Sequence, residues 1–194
     1  MKKQPEITEK TRQAFMDVFC ELYSQKPIEK ISIQEIANQS GYNRSTFYQY
    51  FSDIYELLDF VEADLLNYIK DELSKEQEPS VQNMLHCFEK ESHMSALNAL
   101  FGDYGSARFL ERIKKEIPVD QWATKIPKDA HGAPYLFEFY ISTALSLLRL
   151  WFRRQKDLSS AELFSLVHNL YTHGISSVEN EKLWYREASQ GDEK

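Results

Sequence analysis

Two short helices separated by a tight turn are encoded between Ile31 and Leu58, and each has its own start signal. Ser32 can cap the first helix, and Glu35 can return a hydrogen bond to the Ser32 backbone N–H. This capping box predicts a helix over residues 33–39, and Gly41 supplies the permissive backbone that a tight turn needs. The pattern predicts a helix-turn-helix, whose second helix can enter the major groove of DNA.

The second helix is predicted to run from Arg44 to Tyr50, with Asn43 as its N-cap. Phe47 and Phe51 are four residues apart, so both are expected to point inward. The outward face then presents a compact set of donors and acceptors: Arg44, Ser45, Thr46, Tyr48 and Gln49. Arg can bind guanine and Gln can bind adenine through two hydrogen bonds, and hydroxyls serve phosphates and base edges. Capped short helices are also common in helical proteins that do not bind DNA, so it is the outward side chains that favour DNA binding.

The same stretch resembles the signature of the TetR/AcrR family of bacterial transcriptional regulators. The resemblance covers about the first third of the chain and rests on Ile36-Ala37, Gly41, Thr46-Phe47-Tyr48, Phe51 and Leu57-Leu58. Residues 43–48 are especially similar to the form common in Firmicutes members. The resemblance implies an all-α fold, with a three-helix DNA-binding domain at residues 1–53 and a helical ligand-binding and dimerisation domain at residues 54–194. Residues 54–73 would form the linking helix.

The resemblance also implies which side chains contact DNA. Arg44, Ser45 and Gln49 would contact bases, and the complete expected DNA-binding set is Gln34, Asn43, Arg44, Ser45, Thr46, Tyr48, Gln49 and Tyr50. The chain departs from the family at Ile54, where members often have a Lys that binds a phosphate. One phosphate contact is therefore expected to be missing, which weakens the salt dependence of binding by about one unit of slope.

The charge distribution bears on DNA binding because the formal net charge of the chain is −7. Residues 1–52 contain seven Lys or Arg and six acids, which is a net charge of +1, so the remainder carries −8. An acidic body repels DNA except where the N-terminal domain is presented to it, which favours specific docking over loose sliding.

Helical periodicity continues along most of the chain. Helices are predicted over Thr8–Gln25, Ile54–Leu73, Val81–Glu91, Ser95–Phe101, Ser106–Ile117, Tyr135–Lys156 and Ser159–His173. Capping boxes at Asp53/Glu56 and Ser159/Glu162 begin two of them, and Gly174 is expected to end the last. Residues 118–134 are predicted to be a loop, and the tail from Glu179 is expected to fray.

The last two predicted helices are joined by only a few residues, so they are expected to lie antiparallel. Their apolar surface exceeds what one subunit can cover, which predicts a homodimer in which a second copy completes a four-helix bundle across a two-fold axis. The expected interface residues are Leu147, Trp151, Leu163, Leu166, Val167 and Leu170. Through the Leu-Leu-Arg-Leu-Trp run at residues 147–151, this hairpin also resembles the Firmicutes-type C-terminal regulatory domain of the family.

Aromatic residues in the C-terminal part are candidates for a small-molecule pocket: Phe88, Phe101, Tyr104, Trp122 and Tyr140. Pockets in the family are lined by such residues, although any single one of them is more often an ordinary core residue. No phosphate loop, zinc-type cysteine spacing or nucleophile elbow is present, so we expect neither an enzyme nor a bound cofactor or metal. His86 and His93 share a helical spacing, but a break before Ser95 argues against a metal site there.

Cys20 and Cys87 are too few for a disulfide framework, and no segment resembles a signal peptide or a membrane span, so a cytoplasmic protein is expected. The favoured hypothesis is a dimeric regulator, usually a repressor in this family, that binds a palindromic operator under the control of a small-molecule effector. The alternative is a helical co-activator or adaptor that acts through a protein partner with weak or no DNA binding. The sequence does not specify the operator, the effector or the regulated genes.

Overall fold

Helices are the only regular structure in the ranges that the computed structural model describes, which are residues 5–74, 88, 90–117 and 131–178. In chain order they are α1 (Pro5–Gln25), α2 (Ile33–Gln39), α3 (Arg44–Phe47), α4 (Ile54–Ser74), α5 (Met94–Phe101), α6 (Ala107–Glu116), α7 (Ala133–Arg153) and α8 (Ser160–Val178), with 3₁₀ turns at Ile28–Lys30 and Glu91–His93. The predicted all-α fold with an N-terminal helix-turn-helix is confirmed.

Side-chain caps begin the helices where the sequence places them. At α8 the box is complete, since Ser159 Oγ accepts the Glu162 N–H at 3.2 Å and the Glu162 carboxylate accepts the Ser159 N–H at 2.8 Å. At α4 Asp53 accepts the Glu56 N–H at 2.9 Å, but the Glu56 carboxylate accepts from the Ser52 N–H, one residue earlier than predicted. These bonds link neighbouring residues, which is why local sequence predicts them.

Four helices begin or end two or more residues away from the prediction, and among them α1 begins at Pro5 and not at Thr8. α8 continues through Gly174 to Val178, because a helical glycine costs only about 1 kcal/mol and this one adopts no left-handed conformation. α7 begins at Ala133, since Pro134 is tolerated in a first turn. It ends at Arg153 and not at Lys156, which adopts a left-handed φ of 57° after a φ of 55° at Gln155. The end of α3 is described with the candidate interface below.

Several predictions fall on residues outside the described ranges. These are the body of the predicted helix over residues 81–91, most of the loop over residues 118–134, the tail from Glu179, and the side chains of His86, Cys87 and Trp122.

Helix α5 occupies the centre of the packing. It lies against α1, α4 and α7, and four of its eight residues are buried: Leu97, Ala99, Leu100 and Phe101. The Phe101 ring is fully buried and contacts the rings of Phe88, Phe109 and Phe152 at centroid distances of 5.5, 5.8 and 5.5 Å. Because α1 also packs on α2, one continuous apolar core joins the N-terminal helices to the C-terminal ones.

Ion pairs connect α4 to α6 along their length. Glu62 of α4 is completely buried, and its Oε2 accepts from Arg108 at 3.2 Å and from Arg112 at 2.8 Å. Arg108 also binds Asp59 of α4, and Lys70 of α4 binds Glu116 of α6 at 2.6 Å. The sequence analysis missed Glu62, although its position four residues after Leu58 and seven before Ile69 places a carboxylate on the apolar face of α4.

Candidate nucleic-acid interface

The turn between α2 and α3 is a Schellman motif centred on Gly41. Gly41 has a φ of +77°, its N–H donates to Asn38 O at 3.3 Å, and the Tyr42 N–H donates to Ala37 O at 2.9 Å. These two bonds satisfy carbonyls that the end of α2 leaves without helical partners, and they direct the chain away from the helix axis. The turn predicted at Gly41 is confirmed.

Substitution of Gly41 by alanine is expected to lower the free energy of unfolding by about 1–2 kcal/mol, because a Cβ disfavours the left-handed conformation. Urea denaturation of both proteins measures the difference. Gly174→Ala is the matched control, since Gly174 is helical and its Cβ position is also open; that change should be neutral or stabilising by up to about 1 kcal/mol. Equal destabilisation by the two changes would refute the role of backbone conformation.

Asn43 organises the first turn of α3. Its Oδ1 accepts the Thr46 N–H at 2.8 Å, which confirms the predicted N-cap, and also accepts the Thr46 and Ser45 hydroxyls at 2.9 and 2.6 Å. A hydroxyl that donates in this way still has lone pairs. Ser45 and Thr46 therefore offer acceptors to a ligand in this conformation, while donation to a phosphate requires the hydroxyl to leave Asn43.

α3 is shorter than predicted. The α-helix ends at Phe47, and the expected segment to Tyr50 continues as tighter turns, with Gln49 N–H donating to Thr46 O at 3.1 Å and Tyr50 N–H to Phe47 O at 2.9 Å. Bonds between residues three apart tighten the winding to that of a 3₁₀ helix. The direction of the segment is kept, so Tyr48 and Gln49 remain on its exposed side.

An aromatic cluster holds the segment on α1. Phe47 and Phe51 are 0% and 3% exposed, as their spacing predicts. The buried ring of Phe15 contacts Tyr42, Phe47 and Tyr50 at centroid distances of 5.4, 5.4 and 6.0 Å. The Tyr50 ring, at the end of the tight turns, thus packs on α1 through Phe15.

The outward face carries Arg44, Ser45, Tyr48 and Gln49. Arg44 Nη2 and Nε donate to the Tyr48 hydroxyl at 2.8 and 3.2 Å, and the guanidinium carbon lies 5.5 Å from the centre of the Tyr48 ring. A guanidinium has five N–H donors, so three remain after these two bonds, enough for a bidentate contact. The Tyr48 side chain thus orders the Arg44 side chain before any partner binds.

The other expected DNA-binding residues occupy mixed environments. Gln34 is exposed on α2 and donates to the Asn38 side chain at 2.7 Å. Tyr50 is half-buried and contributes to the aromatic cluster, so only part of its side chain remains accessible. Ile54 is half-buried at the start of α4 and packs against the core.

Of the aromatic residues expected to form a ligand pocket, the structure describes Phe88, Phe101, Tyr104 and Tyr140, and the pocket itself stays a prediction. Phe88 and Phe101 are buried core residues in direct contact. Tyr140 is half-buried, and burial raises its pKa to about 12. Tyr104 is 41% exposed and lines a different cleft, between α1, α4 and α6.

The expected dimer-interface residues divide by burial. Trp151, Leu163 and Val167 are buried inside their own protomer, where Trp151 Nε1 donates to Leu158 O at 2.7 Å. Leu147 is half-buried, whereas Leu166 and Leu170 are 46% and 57% exposed.

Two other kinds of site receive no support from the described residues. No group of three or more His, Cys, Asp or Glu side chains there could hold a metal ion. Burial raises the pKa of the Cys20 thiol to about 12, so this cysteine stays protonated and unreactive at neutral pH.

None of the helices that the structure describes is both long and apolar enough to cross a membrane.

A capped helix, a glycine turn and a second helix with a polar outer face over a buried aromatic support define the class of helix-turn-helix DNA-binding proteins. Residues 16–61, which run from α1 into α4, match the family of bacterial regulatory proteins known as the tetR family. The chain therefore carries the N-terminal domain of TetR-family transcriptional regulators. The Firmicutes-type character of the C-terminal part stays a prediction.

Solved structures share the fold over most of the chain. One is the dihydroxyacetone kinase operon activator DhaS, with 20% identity and a TM-score of 0.58 over 86% of this chain and 97% of that one. A tetR-family regulator from Streptomyces coelicolor has 20% identity and a TM-score of 0.58, covering 89% of this chain and 86% of its own. One from Marinobacter aquaeolei VT8 has 16% identity and a TM-score of 0.59, covering 86% and 95%. None of the curated proteins matches the sequence significantly.

Proposed function

We propose that the protein is a dimeric, sequence-specific transcriptional regulator of the cytoplasm, in the usual family role of a repressor, that binds a palindromic operator under small-molecule control. The ordered polar face of α3 and the turns after it carries this proposal. Residues 1–53 supply DNA binding and residues 54–194 supply dimerisation and effector binding. This division is one of roles, because the two parts share a core through α1 and α5.

The roles of individual side chains follow from the chemistry of the exposed face. Arg44 is suited to guanine and Gln49 to adenine, with Ser45 and Gln34 at neighbouring base edges. Tyr48 and Thr46 contact phosphates, along with Asn43 and the accessible part of Tyr50. Because the body of the chain is acidic, the complex forms only when this face is presented to the duplex.

Dimerisation through α7 and α8 is supported by apolar side chains that the protomer leaves exposed. Leu150 on α7 and Leu166 and Leu170 on α8 are 51%, 46% and 57% exposed. A two-fold pairing of these helices covers them and places two recognition segments on one face of the dimer. Operator binding then requires that the two recognition segments lie one helical turn of DNA apart, ~34–36 Å.

The double change Leu166→Glu and Leu170→Glu is expected to raise the dimer dissociation constant about a hundredfold or more, because it replaces two apolar contacts with charges. Sedimentation velocity over a concentration series measures this constant. Ser165→Glu, on another face of α8, is the control and should leave the dimer intact. A dimer that survives the double change would place the interface elsewhere.

Effector control requires a rigid element that connects the DNA-binding part to the effector-binding part, and α4 is suited to that role. Its 21 residues span about 30 Å, it begins directly after the recognition segment, and its ion pairs attach it to α6. A change of a few Å in the distance between the two recognition segments of the dimer prevents both from binding the duplex at once.

Selection of bound sequences from a random DNA pool tests the function most directly. The regulator proposal predicts an enriched palindrome with half-sites one helical turn apart. An enriched sequence without symmetry would refute the dimeric binding mode, and no enrichment would refute DNA recognition altogether.

A second candidate function is that of a co-activator that acts through a protein partner. Three observations favour it: the near-neutral charge of residues 1–52, an Ile in place of a Lys at position 54, and the fold shared with an operon activator. Titration of labelled genomic DNA fragments at two salt concentrations separates the candidates. A co-activator of this kind shows no saturable DNA binding at either concentration, whereas the regulator saturates and weakens as salt rises.

A further inference from the structure

A cleft of about 430 Å³ lies where the N-terminal helices meet the body of the protein. One wall comes from the end of α1 and the 3₁₀ turn at Ile28, a second from α4 at Leu58, and the third from the turn before α6 together with Arg108. The volume falls within the range of small-molecule sites. The cleft is separate from the core aromatics Phe88 and Phe101, and the sequence analysis did not find it.

The third wall is held rigidly in place. Tyr104 lies in a turn between Gly102 and Gly105, and a Cβ on either glycine would meet backbone oxygens at 2.3 and 2.0 Å. Two arginines of α7 fasten this turn, since Arg149 donates to Gly105 O at 2.6 Å and Arg153 donates to Asp103 at 2.7 Å. The Tyr104 ring therefore lines a preformed wall and not a free loop.

The lining combines aromatic rings with an excess of negative charge. Tyr55 and Tyr104 are 54% and 41% exposed, so part of each ring is available to a ligand. Arg108 is the cation of the lining, but it is bound to Asp59 and to the buried Glu62. Among the described residues Glu29 has no ion-pair partner, and its charge remains for a ligand.

The charge of Glu29 reaches into the cleft. The pKa of Tyr23, which also lines it, is raised by burial first and then by the negative charges of Glu62 and Glu29, while the positive charges of Arg108 and Arg149 oppose this rise. Rings with electron-rich faces beside a carboxylate attract organic cations. A carboxylate ligand would instead be repelled by Glu29, and the charge of Arg108 is already balanced by Asp59 and Glu62.

We propose that this cleft binds an organic monocation with an apolar body, such as a substituted ammonium ion, with Glu29 as counter-ion and Tyr55 and Tyr104 as aromatic walls. The ligand bridges the N-terminal helices, α4 and α6. Its effect on DNA rests on the proposed regulator function, since it would act by altering the position of α4; its binding does not rest on that function.

Isothermal titration of the full chain with benzyltrimethylammonium chloride tests the binding, with sodium benzoate as the probe of opposite charge. We expect saturable binding of the cation only. Glu29→Gln and Tyr104→Leu should each weaken it roughly three- to fivefold, and the double variant roughly tenfold or more. Glu21→Gln, an exposed position on α1 outside the cleft, is the control and should bind like the wild type.

No saturable binding, benzoate binding of equal strength, or an unchanged affinity in Glu29→Gln would each overturn the proposal. Because Glu29 is exposed, the variant is expected to fold, and circular dichroism checks this. Fluorescence anisotropy with the selected operator separates the two proposals. Operator binding without cation binding overturns the cleft alone, and cation binding without operator binding overturns the regulator function alone.

Discussion

Arg44→Ala is expected to weaken specific operator binding by about 1–3 kcal/mol, roughly a 5- to 150-fold rise in the dissociation constant. Arg44 is exposed at the first position of α3, where its guanidinium can reach a guanine edge with three of its five donors. Since Tyr48 orders the side chain in advance, little further freedom is lost on binding. Fluorescence anisotropy with the selected operator measures the change.

The loss should depend on sequence. Removing a base contact relaxes the preference at one position of each half-site, whereas removing a phosphate contact weakens binding to all sequences and lowers the salt slope. Arg154→Ala is the matched control, because Arg154 is a surface arginine after α7 whose ion pair is with Asp157. Unchanged operator affinity in Arg44→Ala would show that the base-contacting residues are assigned wrongly.

Phe101→Ala is expected to lower the free energy of unfolding by about 3–5 kcal/mol. The ring is completely buried and contacts three other phenylalanine rings from separate parts of the body. The lost contacts and the remaining cavity both contribute, because surrounding side chains collapse only partly. Urea denaturation at one fixed protein concentration measures the effect without a contribution from changes in dimer population.

Phe139→Ala on α7 is the control for this change, since Phe139 is 60% exposed. Its removal is expected to change stability by less than about 1 kcal/mol. A small effect at Phe101 would mean that α5 is not the centre of the shared core. It would also argue against a structural connection between the N-terminal helices and the C-terminal ones through α5.

Local signals predicted the recognition segment well. Asn43 accepts a hydrogen bond from a residue three positions away, Gly41 adopts the conformation that few other residues tolerate, and Phe47 and Phe51 share a buried face. Each depends on residues within one helical turn of one another, so their spacing in the sequence contains the information. Which side chains contact bases stays a prediction, because that depends on a partner.

Contacts between distant residues were not predictable in the same way. The carboxylate of Glu62 meets Arg108 and Arg112 across separations of 46 and 50 residues. The cleft beside Glu29 is formed by three segments that are remote in sequence, residues 23–29, 55–59 and 104–108. The spacing of Glu62 places it on the apolar face of α4, but its arginine partners and the cleft leave no periodic signal, since packing between helices creates both.

The sequence by itself determined the helical class, the starts of the helices and the inward and outward faces of the recognition segment, because hydrogen-bonded caps and helical periodicity act over three or four residues. Only the tertiary structure decided that α3 ends at Phe47, that Trp151 is buried within its own protomer, and that a charged cleft lies where the N-terminal helices meet the rest of the protein. Those outcomes depend on which helix surfaces come into contact. The free energy gained by burying one helix against another depends on both surfaces, so the local sequence of either helix does not determine it.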